Sequence, residues 1–402
     1  LFLDMAWFGV LSGSTIAFVA VYATRIGATN AQIGLLSALP ALVNLLFALP
    51  AGSWLSRRRL GRAVFWTSIL SRLFYLVLVP LPVLLMPEAQ IQVILFMTLL
   101  MSIPGTALVV GFNSQFGEVV PLEWRGYVAG IRNALLSLIS IAFTMISGWI
   151  LGRLEFPTGY QVVFAIGVLG AGMSSLHLYL LSAMKSVQNG QGNGLAQPRT
   201  VEGRKLAQES RALLQRGMQS LRLDAMRGHF ARIMALLFAW HLAQWMTIPI
   251  VTPFIVNELH LSDQLIALTN SLFNTTVFFG SLNLSNVTRR FGNKRLMAIG
   301  VMTISLFPIL TSLGVGAYFA ANIIGGIAWS LIGGVTFNYI LENTPADDRP
   351  AHLAWYTLVL NAAILTGSLA GPAIAGTIGY TTALLLFGFA RFIAGAAILR
   401  WG

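Results

Sequence analysis

Long apolar stretches alternate with short polar gaps along the whole chain. A helix that crosses a bilayer needs about 20 mostly apolar residues, and the gaps separate twelve stretches of this kind. None of them alternates apolar and polar residues as the strands of a membrane β-barrel do. The pattern predicts an all-α integral membrane protein with transmembrane helices over residues 1–24, 32–55, 63–86, 91–116, 126–151, 160–184, 230–257, 265–287, 295–313, 316–341, 352–376 and 380–400.

Short polar motifs occur once in each half of the chain. The spacing E-x-x-P-x-x-x-R is found at residues 118–125 and 342–349, and R-R-x-G at 58–61 and 289–292. Thr29 and Ser262, each placed to cap the next helix, correspond in the same way. Such repeats predict two parallel six-helix repeats, with halves at 1–184 and 229–402 and a linker at 185–228.

The composition agrees with a membrane protein. The 402 residues are 56% hydrophobic and 9% charged, whereas a soluble domain has about 25% charged residues. The absence of cysteine excludes disulfides and thiolate metal sites. The net charge of +12 does not indicate nucleic-acid binding, because the charges are confined to particular loops.

The basic residues predict how the chain crosses the membrane. The gaps after helices 2 and 8 carry clusters of basic residues, and those after helices 4 and 10 carry Arg125 and Arg349. The gaps after odd-numbered helices carry only Arg25 and Arg153. Because basic loops remain in the cytoplasm, both termini are expected there, in the cytoplasmic (inner) membrane of a bacterium. The clusters are Arg57, Arg58, Arg59 and Arg62, and Arg289, Arg290, Lys294 and Arg295.

The long gap has two parts. Residues 188–194 are glycine, asparagine and glutamine, as in a flexible linker. Residues 201–222 form a basic amphipathic pattern suited to an anionic cytoplasmic leaflet. Two interpretations stay open, a tether between the halves and a regulatory or partner-docking segment.

Twelve helices, a long central loop and these motifs resemble the major facilitator superfamily of secondary transporters. The family's signature between helices 2 and 3 reads G-x-x-x-D-R-x-G-R-R, and residues 52–62 keep its glycines and arginines with two extra positions. Its acid falls on Ser56 or Arg58, and the second copy at 280–295 also lacks it. The resemblance implies cytoplasmic gating loops at Gly52, Arg57, Arg58, Arg59, Gly61, Arg62, Glu118, Pro121, Arg125, Arg289, Arg290, Gly292, Glu342, Pro345 and Arg349.

Ionisable groups within membrane helices are costly and are usually functional. The family fold implies that helices 3, 6, 9 and 12 lie outside and that helices 1, 4, 7 and 10 line a cavity. Arg72 and Arg391 are therefore expected to bond neighbouring helices, or to contact a lipid or a partner, rather than to bind substrate. Arg132 in helix 5 is expected either to meet an anionic substrate or to pair with Glu118 or Glu123.

Proton coupling has one main candidate, His241 in helix 7, since imidazole titrates near physiological pH. The alternative is a hydrogen-bonded packing histidine, and His177 in outer helix 6 is a weaker candidate. No Asp or Glu lies deep in a predicted helix, and Asp4 falls near the cytoplasmic end of helix 1. This pattern favours a facilitator, a histidine-coupled carrier or a protein that no longer transports.

Neutral polar and aromatic side chains, together with Arg132, provide a candidate substrate cavity suited to a neutral or amphipathic organic solute. Its members are Ser12, Thr15, Arg132, Trp240, Gln244, Asn270, Asn274, Asn322, Trp329, Asn338 and Asn361.

Two functions remain for the chain. The first is secondary transport of a small organic solute by alternating access. The second is a non-transporting scaffold, assembly factor or subunit, with a protein or pigment partner on helices 3, 6, 9 or 12. The sequence contains no enzyme signature, no phosphate-binding loop and no cofactor motif.

Overall fold

Residues 2–55, 57–121, 124–191, 226–282, 284–345 and 349–402 are described by a computed structural model of the chain. Within these ranges, twelve helices are long and apolar enough to cross a membrane and no strand occurs, which confirms the all-α membrane fold. They are α1 Phe2–Arg25, α2 Asn30–Leu55, α3 Leu60–Leu78, α4 Pro87–Val119, α5 Arg125–Leu151, α6 Thr158–Gln191, α7 Gly228–Glu258, α8 Asp263–Leu282, α9 Asn293–Thr311, α10 Val315–Glu342, α11 Arg349–Ile378 and α12 Tyr380–Trp401.

In the described parts of the connections there are two shorter helices, Leu81–Leu84 and Leu284–Phe291. Helix α6 continues to Gln191, beyond its predicted end. The predicted basic helix at 201–222 lies outside the described residues. The division of the chain at 185–228 therefore stays a prediction.

The corresponding N-caps of α2 and α8 are both present. The Gln32 backbone N–H donates to Thr29 Oγ1 at 3.3 Å, and the Thr29 N–H donates to Gln32 Oε1 at 2.8 Å. This reciprocal pair is a capping box. At α8, the Leu265 N–H donates to Ser262 Oγ at 3.4 Å. The side chains satisfy N–H groups that the first helical turn leaves free.

Successive helices run in opposite directions, so the connections between them lie alternately at the two ends of the bundle. We call the end that carries both termini the terminal end. The other is the distal end, where residues 26–29, 79–86, 152–157, 259–262, 312–314 and 379 lie. We call α1–α6 the N-terminal bundle and α7–α12 the C-terminal bundle. The predicted topology places the terminal end in the cytoplasm.

The bundles share a core at the distal end. A cluster of buried apolar residues there joins Phe18 and Tyr22 of the N-terminal bundle to Phe254, Tyr318 and other residues of the C-terminal bundle. A second cluster, around residues 230–240 and 332–340 at the terminal end, is built from the C-terminal bundle alone. Apolar burial thus joins the two bundles at one end of the molecule.

Helix α9 is interrupted at Ser305 because of Pro308. Proline has no N–H, so the carbonyl four residues earlier, that of Ile304, loses its helical partner. The guanidinium of Arg391 donates to this carbonyl at 3.4 Å and to the carbonyls of Ala243 and Gln244 at 3.4 and 3.1 Å. Arg391 is 1% exposed and joins α12 to α7 and α9, in line with its expected contact with neighbouring helices.

Replacing Arg391 by leucine is expected to lower the melting temperature of the purified protein, because three buried carbonyls lose a charged donor. Each hydrogen bond to a charged group contributes about 1.5–3 kcal/mol. Arg391→Lys keeps the charge but loses the planar fork, so it should melt between the wild type and Arg391→Leu. Equal melting of all three proteins would contradict this role.

Candidate functional site

An ion pair between the bundles lies at the distal end. Arg25, at the end of α1, approaches Oδ1 of Asp263 with Nε at 3.2 Å and Nη2 at 3.0 Å. The Arg25 Nη2 also donates to the Leu261 carbonyl at 2.5 Å, and the Tyr160 hydroxyl donates to Asp263 Oδ2 at 2.8 Å. Asp263, in the first turn of α8, thus binds α1 and α6 through both carboxylate oxygens.

A second distal contact joins α2 to α12, where the Tyr380 hydroxyl donates to Asn30 Oδ1. The same face of α2 packs on α11 without space for a side chain at Gly34. A Cβ built there would overlap the Ser368 carbonyl oxygen and lie 2.9 Å from Cγ of Pro372. Sequence reasoning placed its candidate gates only in the cytoplasmic loops and missed this closure. The opposite charges of Arg25 and Asp263 were the available signal.

Near the middle of the helices, polar side chains continue the contact between the bundles. The Asn44 Nδ2 donates to Asn361 Oδ1 at 3.3 Å, and the Thr106 hydroxyl donates to Asn44 Oδ1 at 2.6 Å. This cluster joins α2, α4 and α11. Asn361 was a predicted cavity residue, whereas Asn44 and Thr106 were missed because single amides and hydroxyls are common in membrane helices.

His241 lies within the C-terminal bundle, between α7 and α11. It is 6% exposed, and its Nε2 is 3.3 Å from the Tyr356 hydroxyl. The ring of the adjacent Trp240 has its centroid 6.5 Å from that of Trp329 on α10. Among the described residues, Trp240 Nε1 and Gln244 Oε1 are buried without a hydrogen-bond partner. The structure therefore brings four predicted residues together around one unpaired donor and one unpaired acceptor.

Other predicted cavity residues are bonded locally or lie apart. The amide groups of Asn274 and Asn322 donate to the carbonyls of Asn270 and Tyr318, one turn earlier in their own helices, at 2.9 and 2.8 Å. The Thr15 hydroxyl donates to the Phe164 carbonyl at 3.5 Å. Ser12 is half-buried in α1 and Asn338 is exposed on α10. The His177 Nδ1 lies 2.7 Å from the Met173 carbonyl in its own helix.

Asp4 is buried, although it lies in the first turn of α1. It is 4% exposed and accepts a hydrogen bond from the Ser174 hydroxyl of α6. Its carboxylate oxygens lie 3.6 Å from Nη2 of Arg132 and 4.0 Å from Nη2 of Arg72. The sequence placed Asp4 near the cytoplasmic end of helix 1 and did not predict that its carboxylate is buried. Helices α5 and α6 pack over the start of α1 and exclude water from a position that looks terminal in the sequence.

The two arginines around Asp4 come from α3 and α5. Arg72 Nη1 donates to the Ser175 hydroxyl at 2.9 Å, so it binds a neighbouring helix as expected. The sequence pointed to Glu118 or Glu123 as the partner of Arg132. Those side chains lie outside the described residues, and the described acidic partner is Asp4.

The repeated gating motifs are described mainly in the second half. Glu342, at the end of α10, accepts a hydrogen bond from Asn293 Nδ2 at the start of α9, at 2.6 Å. Gly292 has φ +77°, a conformation that favours glycine, and separates the helix Leu284–Phe291 from α9. Arg289 Nη2 donates to Asn286 Oδ1 at 2.6 Å. In the first half, the Arg58 guanidinium lies 4.6 Å from the ring centroid of Trp54.

The other gating residues occupy helix ends or loops. The side chains of Glu118 and Arg125 lie outside the described residues, as does Ser56, whereas Pro121 follows the end of α4 and Arg349 begins α11. The part of the chain that the structure describes contains no group of three His, Asp or Glu residues able to hold a metal ion. The gating role of these motifs stays a prediction.

The C-terminal part of the chain matches a known protein family. Residues 233–402 match the sequence model of the Major Facilitator Superfamily. The chain is 34% identical over 166 residues to Multidrug resistance protein 1 of Bacillus subtilis, covering 40% of this chain and 41% of that protein. It is 25% identical over 167 residues to Multidrug resistance protein 2 of the same organism, covering 41% and 40%. The matches thus span about two fifths of the length of these curated relatives.

Solved structures resemble the fold over nearly the whole chain. A bacterial homologue of the iron transporter ferroportin in its inward-facing state has a TM-score of 0.75 at 13% identity, covering 100% of this chain and 97% of that one. The inward open xylose transporter XylE from E. coli has a TM-score of 0.70 at 14% identity, covering 99% and 95%. These likenesses show the fold. The names of these proteins describe transporters and multidrug resistance proteins.

Proposed function

We propose that this chain, a membrane protein of the major facilitator superfamily, is a secondary transporter that moves a small organic solute by alternating access. The observation that carries the proposal is the uneven contact between the bundles. The shared apolar core, the Arg25–Asp263 ion pair and the Tyr380–Asn30 hydrogen bond all lie at the distal end. Contacts that close one end of two repeated bundles are what a rocking mechanism has to break and re-form.

The predicted topology gives this closure a direction. If the terminal end faces the cytoplasm, the structure is closed to the outside and corresponds to an inward-facing state. At the middle of the helices, Asn44 and Asn361 join the two bundles, whereas His241 and Gln244 are buried within the C-terminal bundle. We propose that a central solute is bound in this polar region. An organic solute is also in keeping with the Bacillus subtilis relatives, whose names describe multidrug resistance.

The proposal can be tested by measuring distances at both ends of the molecule. The chain contains no cysteine, so pairs of introduced cysteines can carry spin labels without background. Glu155→Cys with Leu313→Cys reports on the distal end, and Arg59→Cys with Arg290→Cys on the terminal end. Alternating access predicts two distance populations for each pair in lipid vesicles. A condition that lengthens the distal distance must shorten the terminal one, and a single fixed distance at both ends would overturn the proposal.

We expect His241→Gln to remove any dependence of solute flux on a pH gradient, while flux down a solute gradient continues. Gln keeps a polar side chain of similar reach but cannot bind a proton near neutral pH. Flux of a transported solute in proteoliposomes, with and without an imposed pH gradient, measures this. His177→Gln is the matched control on α6. An unchanged pH response in His241→Gln would exclude His241 from coupling.

The alternative function, a non-transporting subunit or scaffold, was favoured in the sequence by the missing gate acids, by the missing core carboxylates, and by Arg72 and Arg391 on outer helices. Both guanidinium groups bind partners within the chain, Arg72 through Ser175 and Asp4 and Arg391 through backbone carbonyls. Neither arginine therefore requires a protein or pigment partner. The missing signature acids still leave this alternative open.

A further inference from the structure

Among the described residues near the terminal end of the N-terminal bundle, a buried group of charged side chains has more positive than negative charge. One carboxylate, Asp4, lies within 4.0 Å of two guanidinium groups, those of Arg72 and Arg132. The Arg132–Asp4 separation of 3.6 Å is longer than the roughly 2.7–2.9 Å of a charge-assisted hydrogen bond, so this guanidinium keeps donor capacity. Within this described group the charge is +1, and a buried charge needs a partner.

Buried hydrogen-bonding atoms next to Arg132 are also unpaired. Arg132 Nε and both amide atoms of Gln115 are buried without a hydrogen-bond partner, and Gln115 is 2% and Arg132 7% exposed. The Arg132 Cζ lies 4.3 Å from the ring centroid of Phe112 and 5.5 Å from that of Phe116. These two rings share one face of α4 with Gln115, because positions i, i+3 and i+4 are neighbours on a helix. Arg132 therefore lies against the helix face that carries the unpaired amide.

An apolar cleft lies about one helical turn from this group, toward the terminal end. It has a volume of about 400 Å³ and is lined by Phe2, Val119, Val120, Pro121, Trp124, Tyr127 and Val128. Phe2 precedes Asp4 by two positions, Val119 follows Gln115 by four, and Val128 precedes Arg132 by four. Neither Arg132 nor Gln115 is among the residues that line the cleft, and each lies one helical turn from a lining residue of its own helix.

From these features we infer that α1, α4 and α5 form a binding site for an amphipathic organic carboxylate. Its aromatic or aliphatic part would fill the cleft between Phe2, Trp124 and Tyr127. Its carboxylate would accept hydrogen bonds from Arg132 Nε and the Gln115 amide and would balance the second arginine. An inorganic anion would leave the apolar cleft unfilled, and an organic cation would face two guanidinium groups.

This inference rests on the proposed transport function in one respect, since it makes carboxylates of this kind the transported class. Binding itself does not depend on transport and can be measured separately.

Three probes with one carbon skeleton test the site, namely 3-phenylpropionate, its primary amide and 3-phenylpropylamine. Each is added to the purified full chain, and its dissociation constant is obtained from the concentration dependence of the melting temperature. We expect the carboxylate to bind at least about tenfold more tightly than the amide, the effect of one hydrogen bond to a charged group. Equal binding of all three probes, or tighter binding of the amine, would overturn the inference.

Two variants and a control locate the effect. Arg132→Gln should remove the preference for the carboxylate over the amide, and Gln115→Leu, which leaves the charges in place, should weaken it. The control is Arg153→Gln, which removes an exposed arginine at the distal end and should keep the full preference. A preference that survives both site variants, or that is lost equally in the control, places binding elsewhere and overturns the inference.

Flux measurements separate this inference from the proposed function. If the carboxylate binds through Arg132 but does not cross proteoliposome membranes that contain the protein, the site stands and transport of this class fails. If another solute is transported and Arg132→Gln leaves both its flux and the probe preference unchanged, transport stands and the carboxylate site fails.

Discussion

Replacing Gly34 by valine is expected to disfavour closure of the two bundles at the distal end and to slow alternating access. The α-hydrogen of Gly34 that a Cβ would replace faces the Ser368 carbonyl, and such a Cβ would overlap that oxygen and lie 2.9 Å from Cγ of Pro372. A backbone carbonyl cannot rotate away as a side chain can. Helix α11 as a whole must therefore move away from α2, and the Tyr380–Asn30 and Arg25–Asp263 contacts next to this interface would separate with it.

The size of the effect follows from the cost of overpacking, about 1–3 kcal/mol for added methyl groups in a packed core. That cost corresponds to a shift of about 5- to 150-fold in the ratio of distally closed to distally open molecules. The distal spin-label pair Glu155→Cys with Leu313→Cys should report mainly the longer distance in Gly34→Val. Flux of a transported solute should fall in proportion to the decrease in the population of distally closed molecules.

The matched control is Gly172→Ala on α6, where an added Cβ meets no atom within 4 Å. Comparison with Gly34→Ala isolates the steric contact, since both variants replace a helical glycine by the same residue. Both should gain the same helix propensity, but only Gly34→Ala should lengthen the distal distance. Unchanged distal distances in Gly34→Ala and Gly34→Val would show that α2 and α11 do not control closure.

The number and positions of the helices could be predicted because a bilayer leaves the backbone little choice. Every N–H and C=O in the hydrocarbon layer must be bonded internally, so each apolar stretch of sufficient length becomes a helix. The same argument does not locate interruptions within a helix. The break of α9 at Ser305 depends on Pro308 and on Arg391, which comes from a helix far along the chain.

The contacts between the bundles could not be predicted, because they join residues that are far apart in sequence. Arg25 and Asp263 are separated by 238 positions, and hydrophobic periodicity does not indicate which loops meet. The corresponding caps Thr29 and Ser262 were predictable, since a cap acts within its own turn. They fix where α2 and α8 begin, and Asp263 enters the ion pair from the first turn of α8.

The burial of Asp4 could not be predicted from the sequence either. A hydropathy window treats a charge in the first turn of a helix as lying at the membrane surface. Whether water reaches it depends on the neighbouring helices, and here Ser174 of α6 and Arg132 of α5 cover the carboxylate. Arg132 was predicted as a candidate anion ligand, but the unpaired atoms of Gln115 and the cleft beside Phe2 emerge only when α1, α4 and α5 are packed together.

Replacing Asp4 by asparagine is expected to destabilise the N-terminal bundle strongly, and an organic carboxylate should partly restore its stability. The variant keeps an oxygen that can accept the Ser174 hydrogen bond but leaves Arg72 and Arg132 without their described acidic partner. Removing one partner of a buried ion pair costs about 3–5 kcal/mol. Loss of a single neutral hydrogen bond costs about 1 kcal/mol, so Ser174→Ala, which changes no charge, is the matched control.

Melting temperatures of the purified proteins in detergent, with and without 3-phenylpropionate, measure both effects. Asp4→Asn should melt well below Ser174→Ala in the absence of ligand. The carboxylate should raise the melting temperature of Asp4→Asn more than that of the wild type, because it supplies the negative charge that the two arginines have lost, whereas the neutral amide should not. Equal melting of Asp4→Asn and Ser174→Ala would mean that the two arginines do not depend on Asp4 for charge compensation. A carboxylate effect no larger than that of the amide would mean that an external anion does not reach the arginines, and the substrate class inferred from them would then be wrong.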